Sequence, residues 1–155
     1  MPPPAPFIFT SDGPYSGFMN DAPHPVQYWG TTYETLTHLF EASKYIGHEP
    51  DCVEMLLKCK NTDEVRAMSA QFERDGKARA DWESISLVMV EFMLNAKFTQ
   101  HPALKQLLLE TPNGQLIYGD SVDGYWGLGA DGSGSNVLGK TLDKVKTSLR
   151  AHVYN

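Results

Sequence analysis

Apolar residues recur at helical spacing through most of this chain, separated by short apolar or alternating runs. Leu36, Leu39, Phe40 and Ile46 form one such stripe, in a helix predicted over about residues 33–46 and stopped by Gly47. Pro50, at a favoured first position, and Asp51, in the first turn, open a second helix. Its inner face is Val53, Leu56 and Leu57, and it ends near Lys60. Asn61 and Glu64 have the spacing of a capping box for a third helix, with Val65, Met68 and Phe72 on its core face. The longest periodicity begins at Asp81 and takes in Ile85, Val88, Met89, Phe92, Met93 and Ala96, which predicts a central pillar. Pro102 opens a short helix with Leu104, Leu107 and Leu108 inside. Asn136 caps a last one, with Leu138, Leu142, Val145 and Leu149 inside. Residues 7–9, 25–30 and 116–118 read as short strands, and residues 120–135 as a Gly- and Asp-rich loop. The expected class is α+β: a mainly helical single domain over 7–155 with a few short strands, behind a Pro-rich tail of residues 1–6.

Composition narrows the function classes. The 155 residues suit one sizeable core, and the net charge of −6 gives no basic footprint for nucleic acid. Cys52 and Cys59 lie on one predicted helix about 10 Å apart, too far for a disulfide within it, so free thiols are expected. No apolar run is long enough to cross a membrane, and no signal-peptide core follows Met1. A cytoplasmic location without membrane contact is the expectation.

The candidate chemistry begins on the opening helix. Thr37, Glu41 and Lys44 fall at i, i+4 and i+7, a polar stripe roughly 100° from the apolar one. That is the border of the core, where a half-desolvated Lys44 becomes a nucleophile. The ordinary reading of Glu41 and Lys44 is a solvated ion pair worth a few tenths of a kcal/mol, about 0.3–0.5. The catalytic reading needs a neutral amine, with Glu41 carrying its proton. Asp120, Asp123, Tyr125 and Trp126 stand in the loop, where two carboxylates and two rings can grip a nucleoside or simply form a turn. The run from Gly127 to Gly132 matches G-x-G-x-x-G without a surrounding βαβ unit. Its milder implication is a loop offering backbone N–H groups to a phosphate near Asn136. His38 and His101 lack metal-site spacing, so no metal and no cofactor are expected. Trp82 reads as core, and Lys97 as a surface residue with a snorkelling side chain.

Several segments together resemble one family, the NADAR or YbiA-like N-glycosidases. They are Tyr15-Ser16-Gly17-Phe18, residues 33–45, Asp81-Trp82, residues 96–102, 123–127, and Gly134-Ser135-Asn136-Val137-Leu138-Gly139-Lys140. The resemblance implies a compact helical domain with a polar cleft that breaks an N-glycosidic bond between ribose and a base-like group. Family substrates include ribosylaminopyrimidine intermediates of riboflavin synthesis and ADP-ribose on nucleobases. By resemblance, Lys44 is the Schiff-base residue, and Phe18, Trp82, Asp123 and Trp126 surround the substrate.

The chain also departs from the family pattern. Thr37 stands where the family usually has Glu, Glu41 where it has Gln, Gly17 where it often has Asn, and Tyr118 where it often has an acid. Either Glu41 replaces the lost carboxylate or the site has lost its ordinary chemistry. The expected function is an N-glycosidase using a Lys44 imine, with Glu41 or Asp123 as proton carrier. Phe18, Thr37, Trp82, Tyr125, Trp126 and Asn136 line the site, and Trp82 and Trp126 sandwich the base. The expected partner is a nucleotide-like small molecule or a nucleic acid. A DNA glycosylase with AP-lyase activity is a close variant. The alternative is a nucleotide- or ADP-ribose-binding module, or a defence protein, with impaired catalysis.

Overall fold

The computed structural model describes residues 2–120 and 122–153. Met1, Ser121, Tyr154 and Asn155, parts of the tail, loop and domain expected above, lie outside the described residues. The chain order is β1 (Phe7–Phe9), a 3-10 helix (Gly13–Phe18), β2 (Val26–Tyr28), β3 (Thr31–Tyr33), α1 (Leu36–Ala42), α2 (Pro50–Leu57), α3 (Thr62–Arg74), α4 (Trp82–Gln100), α5 (Pro102–Leu109), β4 (Leu116–Tyr118) and α6 (Val137–Val153). The class is α+β and mainly helical, as the pattern predicts. Contacts divide the chain into two compact units, Asn20–Gln100 and the pair of segments Met1–Met19 and His101–Asn155.

In the unit made of the two end segments, β1 and β4 pair in parallel with Phe7 opposite Leu116 and Phe9 opposite Tyr118. The inner face predicted for α6 is buried: Leu138, Leu142, Val145 and Leu149. β4 reaches α6 so closely that a Cβ at Gly139 would stand 2.3 Å from the Leu116 carbonyl oxygen. Only glycine fits that approach. Lys146 is buried and donates to the Thr111 carbonyl, the Thr111 hydroxyl and the Pro112 carbonyl at 2.7–3.1 Å. It thereby satisfies backbone oxygens just past the end of α5 that burial would otherwise leave unpaired.

The central unit corrects two boundaries. The strand expected over 25–30 stops at Tyr28, and Trp29-Gly30 form a two-residue turn into β3, with Val26 opposite Tyr33. The pattern had assigned Tyr33 to a helix, but Thr31, Thr32 and Tyr33 are β-branched or aromatic and pair with β2. α1 then starts at Leu36, with Thr35 accepting from the His38 N–H. It ends at Ala42, well before Gly47. Nearly every α1 side chain is buried, so the helix has no wet side for a period of 3.6 to reveal. Tyr45, fully buried, ties this segment to α3 by bonding the Ser69 carbonyl and hydroxyl at 2.8 Å, and burial pushes its phenol up to about 12.

α4 packs through a different stripe from the one expected. Val88 and Phe92 are 55% and 63% exposed, and the buried face is Val90, Met93, Leu94, Lys97 and Phe98. Apolar residues ring this helix, so periodicity alone selects no face. The stripe that is buried includes a lysine, which a polar label had removed from consideration. Lys97 is fully buried, its Nζ 5.8 Å from the Phe98 ring centroid. Burial drives its pKa down to about 7, and the Asp21 charge opposes this only in part.

A folded pKa below the unfolded value means the folded state holds fewer protons between about pH 7 and 10. Stability from this group therefore rises with pH in that window. Relative to Lys97→Met, the wild-type protein gains up to about 1.4 kcal/mol per pH unit from pH 7 to 9, measured by urea unfolding at each pH.

Candidate active site

Beyond Ala42 the backbone tightens. Lys44 N–H bonds to the Glu41 carbonyl and Tyr45 N–H to that of Ala42, both spanning three residues. Three residues per turn eclipse positions i and i+3, which stacks Lys44 over Glu41. The ammonium lies 2.9 Å from both Glu41 oxygens and donates to Oε1. Glu73, from α3, closes on the same nitrogen. Two rings flank it: Phe40 at 5.2 Å and Trp82 at 5.7 Å from Nζ, edge to face with each other. Lys44 and Glu41 are 7% and 8% exposed, so this is not a solvated surface pair.

Burial alone pulls the Lys44 pKa down, but Glu41 and Glu73 outweigh it and hold the amine above its ordinary value. The resting residue is an ammonium, which corrects the expectation that dryness by itself would make it neutral. Burial pushes the Glu41 carboxyl up, with Lys44 pulling part of the shift back. Thr37, one turn earlier, is buried and donates its hydroxyl to Asp21. Thr62 and Arg66 donate to the same carboxylate. Burial opposes ionisation of Asp21, yet Arg66 and the two hydroxyls prevail and hold its pKa low. His38 is buried with Nδ1 on the Thr35 hydroxyl at 2.8 Å.

Sequence reasoning placed Thr37, Glu41, Lys44 and Trp82 together, and they share the central unit. It missed Glu73, Asp21 and Arg66, which come from other elements. A helical net over α1 cannot reach them. The one available signal was an acid at position 73, one turn after Ser69 on the helix that holds Tyr45.

The remaining predicted residues belong to the other unit, and several serve its architecture. Phe18 is fully buried against Phe9 and Tyr15, at ring distances of 5.6 and 5.3 Å, and belongs to the core of this unit. Asn136 accepts from Tyr118 N–H and donates to the Leu116 carbonyl, tying β4 to the start of α6. Both ends of its amide are engaged with the backbone. Asp123 Oδ1 accepts the N–H groups of Tyr125 and Trp126 at 2.9 and 2.8 Å and shapes the loop. Tyr125 is partly exposed and packs edge to face on Trp126 at 5.0 Å. The phosphate-cradle reading of the Gly-rich loop is overturned. N–H groups from Gly134 to Leu138 all bond to carbonyls of residues 124–128. Among the described residues no group of three or more His, Cys, Asp or Glu is placed to hold a metal ion, and no helix is long and apolar enough to cross a membrane.

The fold and the site together define an α+β domain that holds a buried lysine between carboxylates. A solved structure agrees on the fold: the NMR structure of the Escherichia coli protein YbiA matches with a TM-score of 0.85 at 28% identity, covering 100% of this chain and 90% of that one. The NADAR domain model matches residues 7–150, and the chain belongs to that family. N-glycosidase YbiA of Escherichia coli K12 is 33% identical over 150 residues, 92% of this chain and 86% of that protein. N-glycosidase Npun_R5314 of Nostoc punctiforme is 29% identical over 137 residues, 88% and 87% of the two.

If Asn136 is architectural, Asn136→Ala destabilises the protein by about 2 kcal/mol, because two buried backbone groups lose their partners. The substrate KM of the folded fraction stays within about twofold, a shift of under ~0.5 kcal/mol. Urea unfolding and steady-state kinetics on one preparation check both.

Proposed function

We propose that this chain is an N-glycosidase that cleaves the bond between a (deoxy)ribosyl C1′ and a base-like group, with Lys44 as nucleophile and Glu41 as its proton carrier. One observation carries this reading: a buried amine held 2.9 Å from a buried carboxylate, beneath two aromatic rings. In water the Lys–Glu ion pair is favoured over the neutral pair by about six pKa units, or about 8 kcal/mol. Burial disfavours both charged forms, so exclusion of water narrows that gap. Glu73 is 43% exposed at its side chain and still adds a carboxylate on the charged side of that balance. Substrate that displaces Glu73 and seals the site lets the proton pass from Lys44 to Glu41.

The steps then follow. The Nζ lone pair forms a bond to C1′ as the bond from C1′ to the base nitrogen breaks, and Glu41 gives its proton to that nitrogen. The C1′–O4′ bond opens, O4′ takes a proton from Nζ, and the sugar is held as an imine. Water adds to the imine, releasing the sugar and regenerating the amine. Trp82, already against Lys44, offers a ring face to the base. Asp123 is given no step, since its Oδ1 is engaged in the loop. The same imine acidifies the C2′ proton, so β-elimination on abasic DNA is the polymer variant of this chemistry.

Borohydride reduction tests the proposal. Incubated with ribosylaminopyrimidines, ADP-ribosylated guanosine or abasic single-stranded DNA, the protein gains one sugar adduct by mass. Lys44→Ala and Lys44→Arg gain none. No adduct with any of the three, together with tight nucleotide binding and no product, would favour the binding module. Glu41→Gln lowers kcat by about 10²–10⁴-fold, more than Thr37→Ala does; the reverse order would place the essential proton elsewhere.

A pH profile tests the role of Glu73. A neighbouring carboxylate raises the pKa of an amine, so its removal lowers it. In Glu73→Gln the rising limb of kcat/KM therefore moves to lower pH.

A further inference from the structure

Two adjacent residues carry the segment after α1 across to one face of α3. Ser69, Phe72 and Glu73 stand at i, i+3 and i+4 on that helix, so they share a face. Glu73 closes on the Lys44 ammonium. Tyr45, the next residue, lays its ring edge to face on Phe72 at 5.5 Å. Its hydroxyl reaches both the carbonyl and the hydroxyl of Ser69 at 2.8 Å. An ion pair, a ring contact and a hydrogen bond thus join the segment to the helix, side by side.

The choice of carbonyl has a consequence for Glu73. In an α-helix the carbonyl of residue 69 accepts the N–H of residue 73. The phenol therefore bonds the same oxygen that holds the Glu73 backbone, and it fixes that turn of α3 against residue 45. Glu73 depends on such a hold. It lies in the last turn of α3, where the helix dipole disfavours a carboxylate, and its side chain is 43% exposed. A long, half-wet side chain loses rotamer freedom when held in one geometry, so its grip on Lys44 is sensitive to where its backbone stands. Burial, with the Glu73 and Glu41 charges adding to it, pushes the phenol up to about 12. The hydroxyl keeps its proton throughout the neutral range and goes on donating.

We propose that Tyr45 is a positioning residue: through its bond to the Ser69 carbonyl, it holds the last turn of α3 where Glu73 meets the Lys44 ammonium. Glu41 and Glu73 are the charges that act on that ammonium. Other charged groups nearby are engaged elsewhere. Arg66 pairs with Asp21 and Asp63, Arg79 pairs with Asp81, and Lys77 lies over the Phe72 ring. The kinetic consequence rests on the reading of Lys44 as nucleophile, whereas the effect on the ammonium does not.

The test is a double-mutant cycle of Tyr45→Phe and Glu73→Gln. It is read on the Lys44 side chain by NMR titration of protein carrying isotope-labelled lysine, with Lys44→Arg assigning the signal. Phenylalanine keeps the ring against Phe72 and removes the hydroxyl. Tyr45→Phe lowers the pH at which Lys44 titrates, the direction that loss of Glu73 also takes it. In the Glu73→Gln background it gives no further shift, because the carboxylate it positions is gone. Two controls leave the Lys44 titration as in wild type. Phe72→Leu loosens the core and lowers stability to urea, and Ser69→Ala removes a hydroxyl but spares the carbonyl. The proposal is overturned if Tyr45→Phe leaves the titration unmoved, or if its shift is undiminished in Glu73→Gln. It is also overturned if either control moves the titration as far as Glu73→Gln does. In kinetics, Tyr45→Phe moves the rising limb of kcat/KM to lower pH, by no more than Glu73→Gln. Protein that forms no sugar adduct and no product, yet shows the expected titrations, would sink the glycosidase reading and leave the role of Tyr45 standing.

Discussion

One ammonium held between two carboxylates, out of water, is the constraint on which this structure turns. Taking Lys44 and Glu41 out of solvent is expensive for each alone, and a buried pair is retained only when geometry and further partners offset the loss of hydration. The tightened turn after α1 supplies the geometry by eclipsing residues 41 and 44. α3 supplies the further partner, Glu73, and also the anchor that fixes the turn, through Tyr45 on Ser69. The side chains that would react and the side chains that make α1 and α3 one body therefore lie on the same few turns of chain. A change that loosens the α1–α3 contact also loosens the grip of Glu41 and Glu73 on Lys44.

That coupling explains why α1 is so thoroughly buried. A helix with a wet face would let its ion pair relax into solvent, where the proton would stay on nitrogen. Leu36, Leu39 and Ala42 have no exposure at all, and even Thr37 and His38 are nearly closed off. Their polar groups are answered locally, Thr37 by Asp21 and His38 by Thr35. Each of these bonds lowers the cost of keeping its group dry, although His38 Nε2 is buried without a hydrogen-bond partner.

The sequence reveals the parts of this arrangement that local spacing encodes. The cap at Asn61 with the helix Thr62–Arg74 that it opens, the inner face of α6 and the strands at Phe7–Phe9 and Leu116–Tyr118 follow from residues a few positions apart. Glu41 and Lys44 are legible for the same reason. What is hidden has a common cause as well. Glu73 and Asp21 reach the site from 29 residues after Lys44 and 16 before Thr37, and no periodicity encodes such distances. Lys97 was misjudged because residue type was taken as environment: a lysine lies in the core of α4. The Gly-rich loop misled through its composition, since its N–H groups already pair within the loop.

The departures from the family pattern on α1 can now be argued physically. Two carboxylates, Asp21 and Glu41, flank the stripe, and their surroundings push them in opposite directions. Asp21 is held by a guanidinium and two hydroxyls, and its acidity is increased. It stays ionised and is a poor carrier of a proton at neutral pH. Glu41 is buried and raised, so it accepts a proton far more readily. Two acids separated in this way are the usual basis for dividing an electrostatic role from an acid–base one. Thr37 tethers the fixed charge, and Glu41 stands one turn nearer the amine. If Glu41 carries the proton as proposed, the acid–base role sits one helical turn beyond the position that Thr37 occupies.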